Sequence, residues 1–387
     1  MSNKIEMVDL LSQHKKLEKP IFEAIQRVID ASAFIKGEEV GRFEKDLAEF
    51  LKVSHVIGCA NGTDALQIAL MALDLRPGDE VIVPAFTYVA TAEVIALLGL
   101  IPVMVDVEED TFNISLPGIA RAITPRTKAI IPVHLFGQCS DMEPLMQLAE
   151  AHNLWVIEDN AQSLGADYIF HDDKSRKSAL SGGQNTVKAG TIGHIGCTSF
   201  FPTKNLGCMG DGGALMTNDP AIAEKIRMIA NHGQRKKYYH EVVGCNSRLD
   251  TLQAAILNVK LPHLPDYLDA RKSAGAFYRS ALKDFAYGTL PTSLPSAPPT
   301  YNQFTLKIKD GQRDQLKDFL AQKGIPSMIY YPLPLYRQDA FSKYVPEGFS
   351  LPVTEKLCKS VLSLPIHTEM TDEILARISE AVNSFRP

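Results

Sequence analysis

Short apolar strands alternating with amphipathic helices constrain this chain more than any other feature. Strand-like runs cover Ser54–Ala60, Glu80–Pro84, Ile101–Asp106, Thr127–Val133 and Trp155–Glu158. Helical spacing separates them, through Leu66, Ala69, Leu70 and Leu73, then Thr91–Leu98, then Met142–His152. Such alternation builds βαβ units, so the expected fold is α/β: a largely parallel sheet with helices on both faces. Ahead of it, Phe22, Ile25 and Ile29 and then Phe43, Leu47 and Phe50 fall at helix spacing on either side of a turn at Gly37. Ile169–Gly190 breaks the rhythm with the charge run Asp172–Lys177 and the stretch Ser181–Asn185, an excursion that reads as a plain hairpin or as a flap near a site. Strands follow around Cys197–Phe201 and Gly213–Thr217, then a helix over Ala221–Asn231. From about Asn246 a long helix is expected, broken at Pro262 and Pro265, and Pro291–Pro299 reads as a connector. Beyond it, Phe304–Ile308 (strand), Gln312–Lys323 (helix), Ser327–Tyr331 (strand) and Asp372–Phe385 (helix) describe a smaller α+β unit.

Composition removes several classes of function. The 387 residues carry 40 Lys+Arg against 45 Asp+Glu, a net charge of -5, so nothing suggests the basic face of a nucleic-acid binder. The longest apolar run, Val94–Val105, is interrupted by Gly99 and Pro102 and falls short of the ~20 residues of a membrane span. Met1–Pro20 carries charges throughout and has no apolar signal core, so a soluble, cytoplasmic protein is expected. The six cysteines are scattered and show no C-x-x-C pair, and no histidine pair has ligand spacing; neither disulfides nor a metal is expected.

Dinucleotide and P-loop signatures are missing. Met209–Gly213 is glycine-rich but lacks G-x-G-x-x-G spacing and leads into a strand. Three weaker features remain. Asn61-Gly62-Thr63 forms a turn at a helix start, where free N–H groups and the helix dipole suit an anion, although such turns mostly just join strand to helix. Asp159 follows the apolar strand Trp155–Ile157, at the edge where parallel sheets place ligand groups, and it could equally cap a helix. Lys204 lies in the almost uncharged stretch Thr198–Asn205, where desolvation would lower its pKa as a Schiff-base lysine requires. An anion cradle, an acid and a lysine together fit pyridoxal 5'-phosphate.

The motifs, in order, are Phe34-Ile35-Lys36-Gly37, Asn61–Leu66, Pro84–Tyr88, Glu158–Gln162, Ser199–Asn205, Gly210–Gly213, Gly244–Arg248 and Tyr331–Leu335. In that order they resemble the DegT/DnrJ/EryC1/StrS family of PLP-dependent nucleotide-sugar aminotransferases, nearly end to end. The resemblance implies an aspartate-aminotransferase-type fold, with a large PLP-binding domain (1–245) and a small C-terminal domain (246–387). It implies Lys204 as the lysine that holds the cofactor and moves the proton, and Asp159 as partner of the pyridinium nitrogen. Gln162 would contact the O3′ side of the ring, and Gly62, Thr63 and Ser199 the phosphate. Tyr88 would stack on the ring, with Phe86 in reserve. Asn246 would reach the phosphate of a neighbouring subunit, which implies a homodimer with shared sites.

A histidine replaces the lysine in the deoxygenating relatives, so Lys204 favours transamination with glutamate as amino donor. The implied acceptor is UDP-2-acetamido-2-deoxy-3-oxo-glucuronate, made into a 3-amino sugar for a surface polysaccharide such as the lipopolysaccharide O-antigen. Arg248, Tyr330 and Tyr331 are the candidate sugar contacts, Arg248 suiting a uronate carboxylate. Asn302-Gln303-Phe304 departs from a His-Gln-aromatic pattern of relatives and leaves the sugar open. The alternatives are a 4-keto-6-deoxy nucleotide sugar as acceptor, or a non-catalytic PLP-binding regulator.

Overall fold

The computed structural model describes residues 4–171, 185–309 and 311–387. Among the described residues nine strands lie between His55 and Thr217: β1 (His55–Cys59), β2 (Glu80–Pro84), β3 (Ile101–Val105), β4 (Thr127–Ile130), β5 (Trp155–Asp159), β6 (Asp167–Ile169), β7 (Thr186–Lys188), β8 (Ile195–Ser199) and β9 (Gly213–Thr217). Seven of them form one sheet in the order β1-β9-β8-β5-β4-β2-β3. The pairs from β3 to β8 are parallel, and β9 alone runs against its neighbours β1 and β8.

The strands are apolar without alternation because both faces are covered. Val81 and Val83 of β2 pack with the helices Gly62–Ala72 and Ala90–Leu97, whereas Ile82 between them packs with the helix Met142–Ala151. β5 divides likewise, Ile157 to the first face and Val156 to the second. The expected parallel α/β sheet is present. β6 and β7, at the two ends of the expected excursion, pair antiparallel. Residues 172–184, with the charge run and most of the Ser181–Asn185 stretch, lie outside the described residues.

The helices Glu18–Ala31 and Glu38–Leu51 pack against the helix Thr251–Lys260. Phe43, Leu47, Leu257, Leu264 and Leu268 share one core with Met216 of β9. Pro262 lies in a short 3-10 turn, Leu261–His263, and Pro265 opens the helix Leu264–Ala281, where a missing N–H costs nothing. Along that last helix the packing changes hands. Ala274 and Tyr278 join a second core with Phe304, Leu306, Leu320, Leu364 and Ile378. There a small antiparallel sheet of Gly288–Thr289, Phe304–Ile308 and Val361–Leu364 is backed by helices Arg313–Gln322 and Asp372–Ser384.

The segment Ser327–Tyr331 is not the expected strand. Only Met328 bridges Ser363; beyond it Tyr330 and Tyr331 turn into an aromatic cluster, and Pro332 and Pro334 offer no N–H to a ladder. Among the described residues no helix is long and apolar enough to cross a membrane.

Candidate active site

Asp159 is the last residue of β5 and pairs with Cys197 of β8, so it sits at the carboxyl edge of the sheet. Its buried carboxylate accepts hydrogen bonds from Thr91 Oγ1 at 2.8 Å and from the Ala161 N–H at 3.2 Å. Burial raises its pKa, while those two donors and the charge of Lys204 pull the other way. Lys204 lies in the loop after β8 and is half-buried. Burial lowers the pKa of its amine, opposed by the charge of Asp159. Among the described residues that amine has no hydrogen bond or ion pair. The fold therefore holds a base and an acid in each other's field without joining them.

Gln162, three residues beyond Asp159, is fixed at both ends of its amide. Oε1 accepts from the Phe136 N–H at 2.7 Å, and Nε2 donates to the Tyr331 hydroxyl at 3.2 Å. The Tyr331 ring lies 6.0 Å from Phe86, 6.3 Å from Tyr88 and 6.0 Å from Tyr330. Phe86 is enclosed by Phe112, Phe136 and Tyr331, whereas Tyr88 is 57% exposed and keeps a ring face open.

The first turn of the helix Gly62–Ala72 faces the end of β8. Asn61 Oδ1 accepts from the Asp64 N–H at 2.8 Å, while Gly62 and Thr63 stand in the part of the helix that has no carbonyl to bind. A methyl group on Gly62 would come 2.7 Å from Ser199 Cβ, so any larger residue would close the space between helix and strand. Ser199 Oγ accepts from the Phe201 N–H at 3.2 Å and its hydroxyl hydrogen is free to turn elsewhere. The donors gathered here suit a phosphate.

Between Asn246 and Arg248, Ser247 Oγ accepts from the Ala60 N–H at 3.0 Å, next to Asn61. Asn246 is exposed and bridges Asn231. Arg248 donates to Asn231 Oδ1 at 3.4 Å, and its buried Nε has no partner. With Lys36, Gly58 and Arg227 it lines a separate cavity of about 380 Å³. Sequence reasoning missed Thr91 and the Phe136 N–H: the first is 68 residues from the acid it holds, and the second is a backbone group with no side-chain signature. It also missed Lys260, a buried lysine that donates to Gly207 O at 2.6 Å behind the Lys204 loop, its pKa lowered by burial to about 8.

An unpaired half-buried amine, a buried acid in its field and a glycine-lined anion cradle fit pyridoxal phosphate, and on this sheet edge they define a PLP-enzyme site. The chain belongs to the DegT/DnrJ/EryC1/StrS aminotransferase family, which matches residues 15–383. It is 43% identical to the "Pleiotropic regulatory protein" of Geobacillus stearothermophilus, covering 98% of each chain. It is also 43% identical to the UDP-N-acetyl-3-dehydro-alpha-D-glucosamine 3-aminotransferase of Acidithiobacillus ferrooxidans, over 98% of this chain and 97% of that one. With the UDP-2-acetamido-2-deoxy-3-oxo-D-glucuronate aminotransferase of Pseudomonas aeruginosa it shares 45% identity, over 94% and 95%. Among solved structures, S. venezuelae DesV in complex with a ketimine intermediate superposes with a TM-score of 0.91 at 38% identity, covering 99% and 98%. The family is PLP-dependent, and the protein is an aminotransferase of that kind.

Proposed function

We propose that the enzyme transfers an amino group from glutamate to a 3-keto group on a UDP-linked 2-acetamido sugar, with UDP-2-acetamido-2-deoxy-3-oxo-glucuronate as acceptor. The observation that carries the chemistry is the unpaired Lys204 amine in the field of buried Asp159. The regiochemistry is supported by the two 3-aminotransferases at 43% and 45% identity. Pyridoxal phosphate, when bound, supplies an aldehyde carbon and an electron-withdrawing ring. Lys204 Nζ would hold that carbon and would move the proton at the reacting carbon; burial, which lowers its pKa, favours the neutral, basic amine that this role needs. Asp159 would partner the pyridinium nitrogen, its carboxylate oriented by the hydrogen bonds from Thr91 and Ala161. Gln162 would meet the O3′ side of the ring, Tyr88 would cover its face, and Gly62, Thr63 and Ser199 would receive the phosphate.

Asn246, which is exposed, and Arg248, whose buried Nε has no partner, act in the site of a second copy, which makes the enzyme a homodimer. Arg248 meets the uronate carboxylate there, and Tyr330 and Tyr331 line the sugar side. The product feeds a surface polysaccharide such as the lipopolysaccharide O-antigen, from the cytoplasm, where six unpaired cysteines stay reduced.

Incubation with glutamate and each of three acceptors tests the reading: the 3-keto uronate, 3-keto UDP-N-acetylglucosamine and a 4-keto-6-deoxy nucleotide sugar. Turnover of the uronate above the others is expected. Preference for a 4-keto sugar overturns the regiochemistry, and preference for the neutral 3-keto sugar overturns the role of Arg248. A visible absorbance band that fails to shift with glutamate would mark a binder rather than an enzyme.

A further inference from the structure

Glu158 is wholly buried, back to back with Asp159 on β5. Its two oxygens accept four hydrogen bonds. Oε1 takes the N–H groups of Ile192 and Gly193 at 2.7 and 2.6 Å, and Oε2 takes that of Gly190 at 2.8 Å and His134 Nε2 at 2.8 Å. Such a shell leaves no room for a proton on the carboxyl group.

His134 is equally buried, and its other ring nitrogen, Nδ1, accepts from the Ser140 N–H at 3.1 Å. A backbone N–H aimed at Nδ1 forces the ring proton onto Nε2, toward Glu158, and excludes the doubly protonated ring. Cys139 Sγ lies 3.7 Å from His134 Nε2, and the three side chains bring ligand-type atoms within 4.8 Å of one another. They are not arranged for a metal. Every lone pair of Glu158 is occupied, and burial, reinforced by the charge of Glu158, raises the Cys139 pKa and keeps the thiol protonated.

The backbone around His134 leads into the active site. Its N–H donates to Asp159 O at 3.0 Å, its carbonyl accepts from Ser163 Oγ at 2.7 Å, and two residues on Phe136 supplies the N–H that holds Gln162. We propose that the buried His134–Glu158 pair is a positioning device, a neutral Nε2–H histidine on a fully shelled carboxylate, that fixes the turn 133–137 against β5 and so sets the mutual geometry of Asp159 and Gln162 toward pyridoxal phosphate. The device rests on that cofactor reading of the site.

Three forms of the protein test it: wild type, His134→Leu and His134→Gln. Glutamine keeps an N–H at the place of Nε2, and leucine removes it. The readouts are pyridoxal phosphate affinity, by absorbance titration of the stripped protein, and the melting temperature without cofactor. The leucine variant should bind about tenfold or more weakly, with the glutamine variant recovering most of the loss at similar melting temperature. Equal affinity in all three forms overturns the inference, and so does equal loss in both variants in step with a lowered melting temperature. A wild type that binds no cofactor would instead sink the reading of the site itself. Should neither variant fold, selective ¹⁵N-histidine labelling of the wild type decides: His134 should show the Nε2–H tautomer, and an Nδ1–H tautomer refutes the device.

Discussion

Lys204 and Asp159 are tuned in opposite directions by the same cause. Burial lowers the amine and raises the acid, and the Thr91 hydroxyl, the Ala161 N–H, the charge of Lys204 and His134 oppose the rise of the acid. Thr91→Val removes one of those restraints without changing volume. Because a hydrogen bond to a buried charge is worth about 1.5–3 kcal/mol, turnover should fall about 10- to 100-fold in steady-state kinetics with the fold intact by circular dichroism. Unchanged turnover would show that Thr91 does not support the acid. His367 lies elsewhere, buried in the small unit, accepting from the Glu369 N–H at 3.1 Å. Burial and the neighbouring Arg271 lower its pKa from 6.5 to about 4. The folded chain therefore leaves this ring neutral over a range where the unfolded chain protonates it. Its contribution is complete above pH 6.5 and drains away as pH falls to 4, by about 3 kcal/mol in all. Denaturant midpoints at pH 7 and pH 4.5 should separate less in His367→Phe than in wild type.

At the scale of elements, the helix Gly62–Ala72 does two jobs with adjacent residues. Asn61 caps it and Gly62 opens the space in front of it. Asn61→Ala should cost about 1 kcal/mol of stability in a denaturant titration. Gly62→Ala should cost some stability and weaken pyridoxal phosphate binding about tenfold, because its methyl would press on Ser199, where the proposed phosphate cradle lies. Equal cofactor affinity in Gly62→Ala would exclude this turn as the cradle. What could be read from the chain alone follows the same division. Strands buried on both faces, such as β2, announce themselves as unbroken apolar runs, and Glu158–Gln162 stands out because acid and amide are contiguous after one of them. The Ser327–Tyr331 segment shows the limit. Its apolar run looks like a strand, but tertiary contacts with Phe86 and Gln162 claim the tyrosines. The short helix Leu116–Ala122 and the strand Val361–Leu364 had too few residues to show a period, and partners such as Thr91 or the Phe136 N–H depend on chain crossings that no local pattern encodes.

For the whole molecule, the proposed site residues fall in two groups. Lys204, Asp159, Gln162, Ser199 and Gly62 converge at the sheet edge, while Asn246 is exposed beside Asn231 and Arg248 lines the cavity with Lys36 and Arg227. Exposed apolar side chains near these segments, Phe34, Ile35, Tyr238 and Val243, are what a chain keeps when another copy covers it. In the proposed homodimer with shared sites, each complete centre would take Lys204 from one subunit and Asn246 from the other. That arrangement makes a complementation experiment decisive. On the proposed reading, Lys204→Ala lacks the amine that would hold the cofactor, and Asn246→Asp would set a carboxylate against the phosphate in the other subunit's site. Each variant alone should be nearly inactive. After subunit exchange of an equal mixture, half of the dimers are mixed, and each mixed dimer holds one intact centre and one with both lesions. Activity should therefore return to about one quarter of the wild-type rate. If Asn246 served its own chain's site, the Lys204→Ala and Asn246→Asp lesions would leave no intact centre in any dimer, and mixing would restore nothing.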